Sequence, residues 1–325
     1  MSWTSLHAHL HQTLKERQLL KPGQRVLVAL SGGQDSLCLL KLLLDLQPKW
    51  NWDLAIAHCD HRWQGDIGNA DFVRDLACFW SLPFYLATAE HINQTEAGAR
   101  AWRYRELSQI AQQHDFPCIA TGHTASDRAE TLLYNLMRGS GADGLQALTW
   151  RRSLTPGVFL IRPLLTVTRS ETAQFCRDWQ LQIWDDPANQ DLKYARNRIR
   201  QELLPYLATH FNPQVERALA QTAELLQADV DYLEQAAADL LQQSRHPDRP
   251  GLHRPFLLQA PLALRRRVIR QWLQFELPCS PNFEQVEKVL ALLTAPNRSQ
   301  TDPFPGGAIA YVEDTWIWLK TRVDI

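Results

Sequence analysis

The segment Arg25–Leu40 reads RVLVALSGGQDSLCLL, and its three parts predict three successive structures. RVLVAL (Arg25–Leu30) is a short apolar run of the kind that forms a buried strand. Gly32 and Gly33 follow, and an apolar helical pattern begins near Asp35. A glycine pair lets the backbone come close to an anion, and an incoming helix offers free N–H groups at its positive end. The segment therefore predicts an anion-binding loop between a strand and a helix.

The polar residues of this loop indicate which anion it binds. Ser31 and Ser36 add hydroxyl donors, but no lysine follows the glycines, so the loop differs from the G-x-x-x-x-G-K-[ST] type. The carboxylate of Asp35 would repel a bare phosphate, which indicates a bridging Mg²⁺. The alternative is a tight turn in which Asp35 and Ser36 only cap the helix. The complete hexapeptide after an apolar strand favours nucleotide binding.

From Arg25 to about Arg177 the chain alternates short apolar runs with helical patterns. Further strands are expected at DLAIAH (Asp53–His58), PFYLAT (Pro83–Thr88), FPCIAT (Phe116–Thr121) and VFLIRP (Val158–Pro163). Helices are expected near Asp66–Trp80, Thr95–Gln113 and Ser126–Arg138, and after the capping box Thr168-x-x-Glu171. This alternation predicts an α/β fold with a Rossmann-like, doubly wound, largely parallel sheet. In such sheets ligands bind beyond the carboxyl ends of the strands.

The sequence changes character after Pro205. Helical periodicity predicts helices at Pro213–Gln243, Leu262–Glu276 and Asn282–Leu293. Ala308–Leu319 alternates weakly, as a hairpin would. We therefore predict a catalytic domain over residues 1–208 and a mainly helical domain over residues 209–325.

Composition limits the class of protein. The net charge is −1, with 45% hydrophobic and 21% charged residues, which is typical of a globular protein without a general attraction to nucleic acid. No signal peptide or membrane-spanning apolar run is recognisable, so we expect a cytoplasmic location. The six cysteines form no C-x-x-C pair, which argues against a disulfide framework or a zinc ribbon. Arginine-rich clusters at 100–105, 193–200 and 265–267 suit either a polyanion or a solvated helix face.

The loop SGGQDS (Ser31–Ser36) resembles the SGGxDS pyrophosphate-binding loop of the N-type ATP pyrophosphatases. Further segments resemble one family of this group, the tRNA(Ile)-lysidine synthases, in the same order along the chain. They are AHCDHRW (Ala57–Trp63), EAGARAWRYREL (Glu96–Leu107), ATGHTASDRAETLLYNLMRGSG (Ala120–Gly141), RPLL (Arg162–Leu165) and DDPANQDLKYARNRIRQELLP (Asp185–Pro205). Three positions depart from the family's pattern: Arg62 replaces a glycine, Ser126 replaces the first of two adjacent acids, and Ala188 replaces a serine or threonine.

The resemblance implies an activity. Members of this family use ATP to adenylate the C2 oxygen of the wobble cytidine in an isoleucine tRNA with a CAU anticodon. The ε-amine of free lysine then displaces AMP and leaves lysidine. ATP and Mg²⁺ are the implied cofactors, and tRNA(Ile) and free L-lysine are the implied partners, with a homodimer as a further option and no membrane. The helical remainder resembles the family's first C-terminal domain, which implies that it binds tRNA.

The resemblance and the position of residues after strands together predict the site. The predicted catalytic residues are Asp35, Asp127 and Arg100, and the two acids are also the predicted Mg²⁺ ligands. Asp127 is either the base that deprotonates lysine or a metal ligand, although Thr124 and Asp127 also have the spacing of a capping box. The predicted ATP-binding residues are Ser31, Gly32, Gly33, Gln34, Asp35, Ser36, His58, Gly122 and His123. The predicted contacts with tRNA or substrate are Asp60, His61, Arg103, Arg105, Arg138, Arg196, Asn197 and Arg200.

Three other functions use the same loop. A tRNA thiolase would share it, but such enzymes typically hold cysteines for a cluster or a persulfide, and C-x-x-C is absent from the sequence. A synthetase of the GMP-forming type would need an ammonia source, and no glutaminase domain is recognisable. A non-catalytic nucleotide-binding module would have no use for Asp35 and the polar residues that follow the other strands.

Overall fold

The computed structural model describes residues 3–63, 66–91, 95–185 and 191–320. The chain divides into two compact units, Met1–Leu226 and Gln227–Ile325. The elements of the first unit are α1 (Ser5–Glu16), β1 (Arg25–Ala29), α2 (Gln34–Trp50), β2 (Asp53–Asp60), α3 (Asn69–Phe79), β3 (Phe84–Thr88), α4 (Glu96–Gln113), β4 (Cys118–Thr121), α5 (Ala125–Met137), α6 (Ala142–Leu145), β5 (Arg151–Thr155), β6 (Val158–Ile161), α7 (Arg169–Asp178), α8 (Ala195–Arg198), a π-helical segment (Ile199–Leu203) and α9 (Leu204–His210). The division between the units falls within the long helix α10 (Val215–Ser244). The domain boundary predicted after residue 208 stays a prediction.

A six-stranded sheet in the order β3-β2-β1-β4-β6-β5 forms the centre of the first unit. Its neighbouring strands are parallel except for the pair β5–β6. The chain places β2 and β3 on one side of β1 but β4 and β6 on the other, so the strand order reverses between β1 and β4. Such a reversal opens a crevice at the carboxyl ends of the two strands. The predicted doubly wound, largely parallel sheet is confirmed.

Alternate residues of β1 face two different layers of helices. Val26 and Val28 pack in a core cluster with leucines of α1 and α2, whereas Leu27 packs in a second cluster with Leu107 of α4. Successive side chains of a strand point to opposite faces, so a central strand that is covered on both faces needs apolar residues at every position. This explains why the residues that follow Arg25, VLVAL, are all apolar and do not alternate with polar residues.

Several features of the first unit differ from the prediction, and α1, α6, α8, the π-helical segment and α9 were not anticipated from the sequence. Arg151–Thr155 forms the antiparallel edge strand β5, which was not predicted because its sequence, RRSLT, places charged and exposed residues on the sheet edge. Helix α3 begins at Asn69 and not at Asp66, because Gly68 is its N-cap and has a positive φ of 89°. The other predicted strands and helices of this unit are confirmed with small shifts at their ends.

The second unit contains helices packed on a small antiparallel sheet. Its elements after α10 are β7 (Gly251–His253), α11 (Arg254–Leu258), α12 (Leu262–Glu276), α13 (Phe283–Leu292), β8 (Ile309–Glu313) and β9 (Trp316–Lys320), with the strand order β7-β9-β8. Trp272 of α12 is fully buried in its core. The predicted helices and hairpin are confirmed, whereas β7 was missed because three residues are too few to show an alternation. Across the parts of the chain that the structure describes, no helix is long and apolar enough to cross a membrane.

Candidate active site

The loop Ser31–Ser36 lies at the carboxyl end of β1, where the crevice opens. Gly33 is the N-cap of α2, and no described side chain caps this helix. The N–H of Ser31 donates to Oγ of Ser36 over 3.2 Å, and that hydroxyl donates to the carbonyl of Gly33 over 2.9 Å. The alternative in which Asp35 and Ser36 cap the helix is therefore wrong. The serines close the loop and leave the first turn of α2 open to an anion.

Glycine is required at two positions around this loop. Gly32 has a φ of 83°, and a Cβ there would lie 2.6 Å from Oδ1 of Asn69. A Cβ on Gly122, which follows β4, would lie 2.7 Å from the backbone carbonyl of Asp35. The loop after β4 thus touches the first turn of α2, which brings the two predicted ATP-binding segments together. At Gly33 the nearest atom to a Cβ would be 3.6 Å away, so this glycine is not required by local packing.

The carboxylate of Asp35 is engaged by helix α7. Nε and Nη2 of Arg169 donate to its Oδ2 over 2.9 and 2.8 Å, and the hydroxyl of Thr172 donates to its Oδ1. The side-chain amide of Gln34 donates to the carbonyl of Arg169 over 2.9 Å. The predicted ATP-binding residue Gln34 therefore joins the loop to α7, and the predicted metal ligand Asp35 already carries a counter-ion.

The second acidic position belongs to helix α5. Oδ2 of Asp127 accepts from the N–H and the hydroxyl of Thr124, both over 2.8 Å, so the capping box is real. Burial alone would raise the pKa of Asp127, but the nearby charge of Arg169 and the bonds from Thr124 outweigh it and hold this pKa below its ordinary value. One turn later, buried Glu130 accepts from Nε and Nη2 of Arg200 over 2.6 and 2.9 Å. Burial raises the pKa of Glu130, although Arg200 opposes the shift.

These acids fit Mg²⁺ only in part. No group of three or more His, Cys, Asp or Glu side chains that could hold a metal occurs in the described ranges. The carboxylates of Asp35 and Asp127 both lie near Arg169, and their negative charges raise the pKa of its guanidinium. Mg²⁺ is commonly held by one or two carboxylates together with phosphate oxygens of a substrate. The residues present therefore fit a metal that arrives with a nucleotide, and they do not form a complete cage by themselves.

His58 lies near the carboxyl end of β2, and His61 directly follows this strand. His58 is 3% exposed, and its Nδ1 lies 2.8 Å from the carbonyl of Leu30, so Nδ1 carries the proton and Nε2 is an acceptor with no partner among the described residues. His61 stacks on Trp63 at 5.0 Å and meets Trp102 edge-on at 4.7 Å. Burial and then the charge of Arg103 lower the pKa of His61 to about 4. Both rings are therefore neutral near pH 7.

The turn after His61 explains one departure from the family's pattern. Arg62 has a φ of 57°, in the left-handed region where glycine is favoured. Its N–H donates to Oδ1 of Asp60 over 2.7 Å. The arginine therefore adopts a backbone conformation that glycine favours, and the carboxylate of Asp60 stabilises the turn.

Cations gather where α4 faces the ends of β4 and β6. The guanidinium of Arg100 lies over the ring of Tyr104 at 5.4 Å. Arg162 is 2% exposed, and its Nε has no hydrogen-bond partner in the described part of the chain. Burial, followed by the charges of Arg162, Arg100 and Arg103, holds the pKa of His123 well below its ordinary value despite Asp127. Together these cations would stabilise an anion at this position.

The other predicted contacts are more widely distributed. Arg105 is exposed and pairs with the adjacent Glu106 at 3.1 Å, and Arg138 is exposed at the end of α5. Arg196 is half-buried on α8, whereas Asn197 is buried and donates to the carbonyl of Asp191 over 2.9 Å, which fits a packing role. Arg200 lies against the acids of α5, at 3.6 Å from Asp127 and 2.6 Å from Glu130. The departure at Ala188 lies outside the described residues.

The third arginine cluster belongs to the second unit and is largely neutralised within it. Arg266 donates to Glu287 over 2.7 and 3.1 Å. Arg267 and Arg270 both donate to Glu234. These side chains hold helices together and are poor candidates for a polyanion-binding face.

Sequence reasoning missed Arg169, the residue most closely joined to the loop. It is the first residue of α7 and directly follows the capping residue Thr168. The capping box was recognised, and the rule that ligands lie beyond the carboxyl ends of strands applies to this helix start as well. It also missed Ser126 as a link: its hydroxyl donates to Glu216 over 2.5 Å and accepts from the N–H of Arg169 over 3.0 Å.

Comparison with known proteins agrees with this geometry. The family model of the PP-loop domain matches residues 4–207, and that of the TilS substrate binding domain matches residues 252–314. The tRNA(Ile)-lysidine synthase of Nostoc sp. is 61% identical over 335 residues, which cover 98% of this chain and 98% of that protein. The tRNA(Ile)-lysidine synthase of Synechocystis sp. is 54% identical, with the same coverage of both chains. Among solved structures, the U34-tRNA thiolase NcsA from Methanococcus maripaludis, with its [4Fe-4S] cluster, matches with a TM-score of 0.57 at 18% identity, over 68% of this chain and 78% of that one, which shows the fold alone.

The parallel sheet, the uncapped glycine loop at its reversal point and the domain match define an ATP-using enzyme of the PP-loop class. Within this class, the chain belongs to the tRNA(Ile)-lysidine synthase family. It is a tRNA-modifying enzyme, so the expectation of a tRNA substrate is confirmed, and the reading as a non-catalytic module is wrong. Free lysine, Mg²⁺, a homodimer and a cytoplasmic location stay predictions.

Proposed function

We propose that the crevice between β1 and β4 binds ATP and performs both steps of lysidine formation. The observation that carries this proposal is the open first turn of α2, which begins at Gly33 and lies against Gly122. In the first step a bond forms between the C2 oxygen of cytidine and the α-phosphorus, and the bond from that phosphorus to pyrophosphate breaks. Negative charge grows on the pyrophosphate, where the N–H groups and the positive end of α2 stabilise it.

Asp35 would hold Mg²⁺ together with oxygens of the triphosphate. Bound there, the ion would neutralise the phosphate charge during adenylation. His58 supports the same site, because its Nδ1–H fixes the carbonyl of Leu30 at the start of the loop. Its buried Nε2 is an acceptor that suits a donor such as the amino group of adenine.

The cations beside α4 suit the phosphate backbone of the anticodon loop. Arg103 is exposed, Arg100 is half-buried, and a guanidinium binds phosphate oxygens in pairs. The wobble base lies in a single-stranded loop, so moving it into the crevice costs only a few kcal/mol of unstacking. These residues would hold the backbone while the base meets the α-phosphate.

The acids of α5 suit the amine of lysine. Asp127 is held ionised and attracts an ammonium group, but its lowered pKa makes it a weak base. Burial raises the pKa of Glu130, so once Arg200 releases one of the two carboxylate oxygens, Glu130 would be the better acceptor for the proton that lysine must lose before its nitrogen attacks C2. In this second step the C–N bond forms as the bond from C2 to the AMP oxygen breaks.

Incubation of the purified protein with ATP, Mg²⁺, labelled lysine and transcripts of tRNA tests the proposal. We expect label in tRNA(Ile) bearing CAU, with AMP and pyrophosphate released in equal amounts. Asp35→Ala should lose pyrophosphate release while keeping its fold, and Asp45→Asn is the matched control. Asp45 lies on the same helix but pairs with Lys41 at 2.6 Å, away from the loop. Absence of label from the wild-type protein, or full pyrophosphate release by Asp35→Ala, would contradict the proposal.

A further inference from the structure

Arg169 joins the start of α7 to the phosphate loop and has no role in the reaction as described so far. We propose that Arg169 is a phosphate-binding residue of the ATP site, which pairs with Asp35 until the nucleotide arrives and thereby makes metal binding depend on ATP. This inference rests on the proposed ATP site. It adds Arg169 to the residues that bind the nucleotide, and it adds that the nucleotide must bind before the metal.

Protein donors occupy both oxygens of the Asp35 carboxylate. Its Oδ2 receives two hydrogen bonds from the guanidinium of Arg169, and its Oδ1 receives the hydroxyl of Thr172. A metal ion needs the same lone pairs as these donors, and a guanidinium cannot coordinate a metal because it has no acceptor atom. Arg169 and a metal ion therefore compete for Oδ2 of Asp35.

The backbone of Arg169 is fixed, so its side chain is the part that can move. Its N–H donates to Oγ of Ser126 over 3.0 Å, and its carbonyl accepts from the amide of Gln34 over 2.9 Å. The preceding Thr168 forms a capping box with Glu171, which secures this end of α7. The Arg169 side chain is 34% exposed whereas that of Asp35 is 10% exposed, so the guanidinium lies on the open side of the pair.

The charges around Arg169 hold its guanidinium beside Asp35 until a stronger anion arrives. Asp35, Asp127 and Glu130 are all close enough to influence its pKa, and all three raise it, against burial. A triphosphate at the first turn of α2 would offer the guanidinium paired oxygens of higher charge beside the same loop. When Arg169 turns to the phosphate, Oδ2 of Asp35 becomes free for the metal that accompanies ATP. Without the nucleotide, the guanidinium keeps that position.

Titration of the nucleotide-free protein with Mn²⁺, followed by electron paramagnetic resonance of the free ion, tests this order. Arg169→Gln should bind Mn²⁺ at least about tenfold more tightly than the wild type, because a bidentate charged pair no longer covers Asp35. Wild-type protein should gain a comparable affinity only when a non-hydrolysable ATP analogue is present. Equal Mn²⁺ affinity of the two nucleotide-free proteins would overturn the proposal.

Nucleotide binding in the absence of metal provides the second measurement. Arg169→Gln should bind the ATP analogue in EDTA about tenfold more weakly than the wild type, since one paired phosphate contact is lost. Arg169→Lys keeps the charge without the paired geometry, and it should fall between the two in both titrations. It also replaces Arg169→Gln if that variant does not fold. Unchanged nucleotide affinity in both variants would contradict the phosphate-binding role.

Arg217→Gln is the matched control. Arg217 belongs to α10 and pairs at 2.8 Å with Glu171, which lies on α7 like Arg169. Its side chain is half-exposed and does not contact Asp35. It should change neither titration, and a change as large as that of Arg169→Gln would contradict the assignment to Asp35. The titrations contain neither tRNA nor lysine, so their failure is distinct from a failure of the wild-type protein to incorporate labelled lysine.

Discussion

Ser126 donates its hydroxyl hydrogen to Glu216 over 2.5 Å and so joins the first turn of α5 to the first turn of α10. The family's pattern has an acid at position 126, which could accept the N–H of Arg169 but could not donate to Glu216. The serine does both. Where the family's pattern has an acid on α5, this chain therefore has a serine that is hydrogen-bonded to an acid of α10, Glu216.

This relationship predicts a strong coupling between positions 126 and 216. Ser126→Asp should lower the free energy of unfolding by about 2 kcal/mol, because a new carboxylate at a buried position would meet the half-buried carboxylate of Glu216. In a Glu216→Gln background the same change should cost much less, since an amide can donate to the new acid. Urea unfolding of the four proteins gives the coupling energy directly. Equal costs of Ser126→Asp in both backgrounds would show that the bond to Glu216 has no energetic role.

Gly122 predicts a steric effect on the nucleotide site. In Gly122→Ala the new Cβ would lie 2.7 Å from the backbone carbonyl of Asp35, so α2 and the loop after β4 must separate. We expect a loss of about 1–3 kcal/mol in unfolding free energy and a clear rise in the Kd of ATP. Gly141→Ala is the control, because nothing lies within 4 Å of a Cβ there. Tight ATP binding by Gly122→Ala would show that this contact does not shape the site.

His61 predicts a pH dependence of stability. Its pKa is lowered from 6.5 to about 4 by burial and by Arg103, so the folded protein keeps the ring neutral while the unfolded chain takes up a proton. Between pH 6.5 and about pH 4 the unfolded chain binds more protons at this histidine than the folded protein does. The free energy of unfolding therefore falls as the pH is lowered through this range. With solvent screening, this contribution is roughly 2 kcal/mol.

His61→Phe separates this titration from packing. Phenylalanine keeps a ring between Trp63 and Trp102 but has no proton to gain. Between pH 7 and about pH 4.5, the variant should lose roughly 2 kcal/mol less unfolding free energy than the wild type. Parallel losses in the two proteins would mean that other groups, such as His58 and His123, account for the acid sensitivity.

How much of this site the sequence could predict depends on the range of each interaction. The strand, the glycines and the helix of the loop are neighbours in the chain, so their residue types and spacing were enough to predict an anion site at a sheet edge. Arg169 and Asp35 are 134 positions apart, and a local pattern carries no information on which distant side chain meets a carboxylate. The same limit applies to Glu130 and Arg200, which are 70 positions apart and were not predicted to pair. Edge strand β5 was missed for another reason: its exposed residues have no burial pattern to read.

Arg103 predicts how the catalytic unit holds tRNA. It is exposed on α4 beside the half-buried Arg100, and a phosphate contact contributes to affinity through the release of counterions. Arg103→Ala should weaken tRNA binding at low salt and lower the slope of log Kd against log salt by about 1, while the Kd of ATP stays the same. Arg177→Ala is the control, because this arginine lies on the last turn of α7 and its guanidinium donates to Gln174, three residues earlier, over 2.6 Å. Filter binding at several salt concentrations measures both slopes. An Arg103→Ala slope equal to that of the wild type would mean that this arginine is only solvated, and the anticodon backbone would then have to lie elsewhere on the surface.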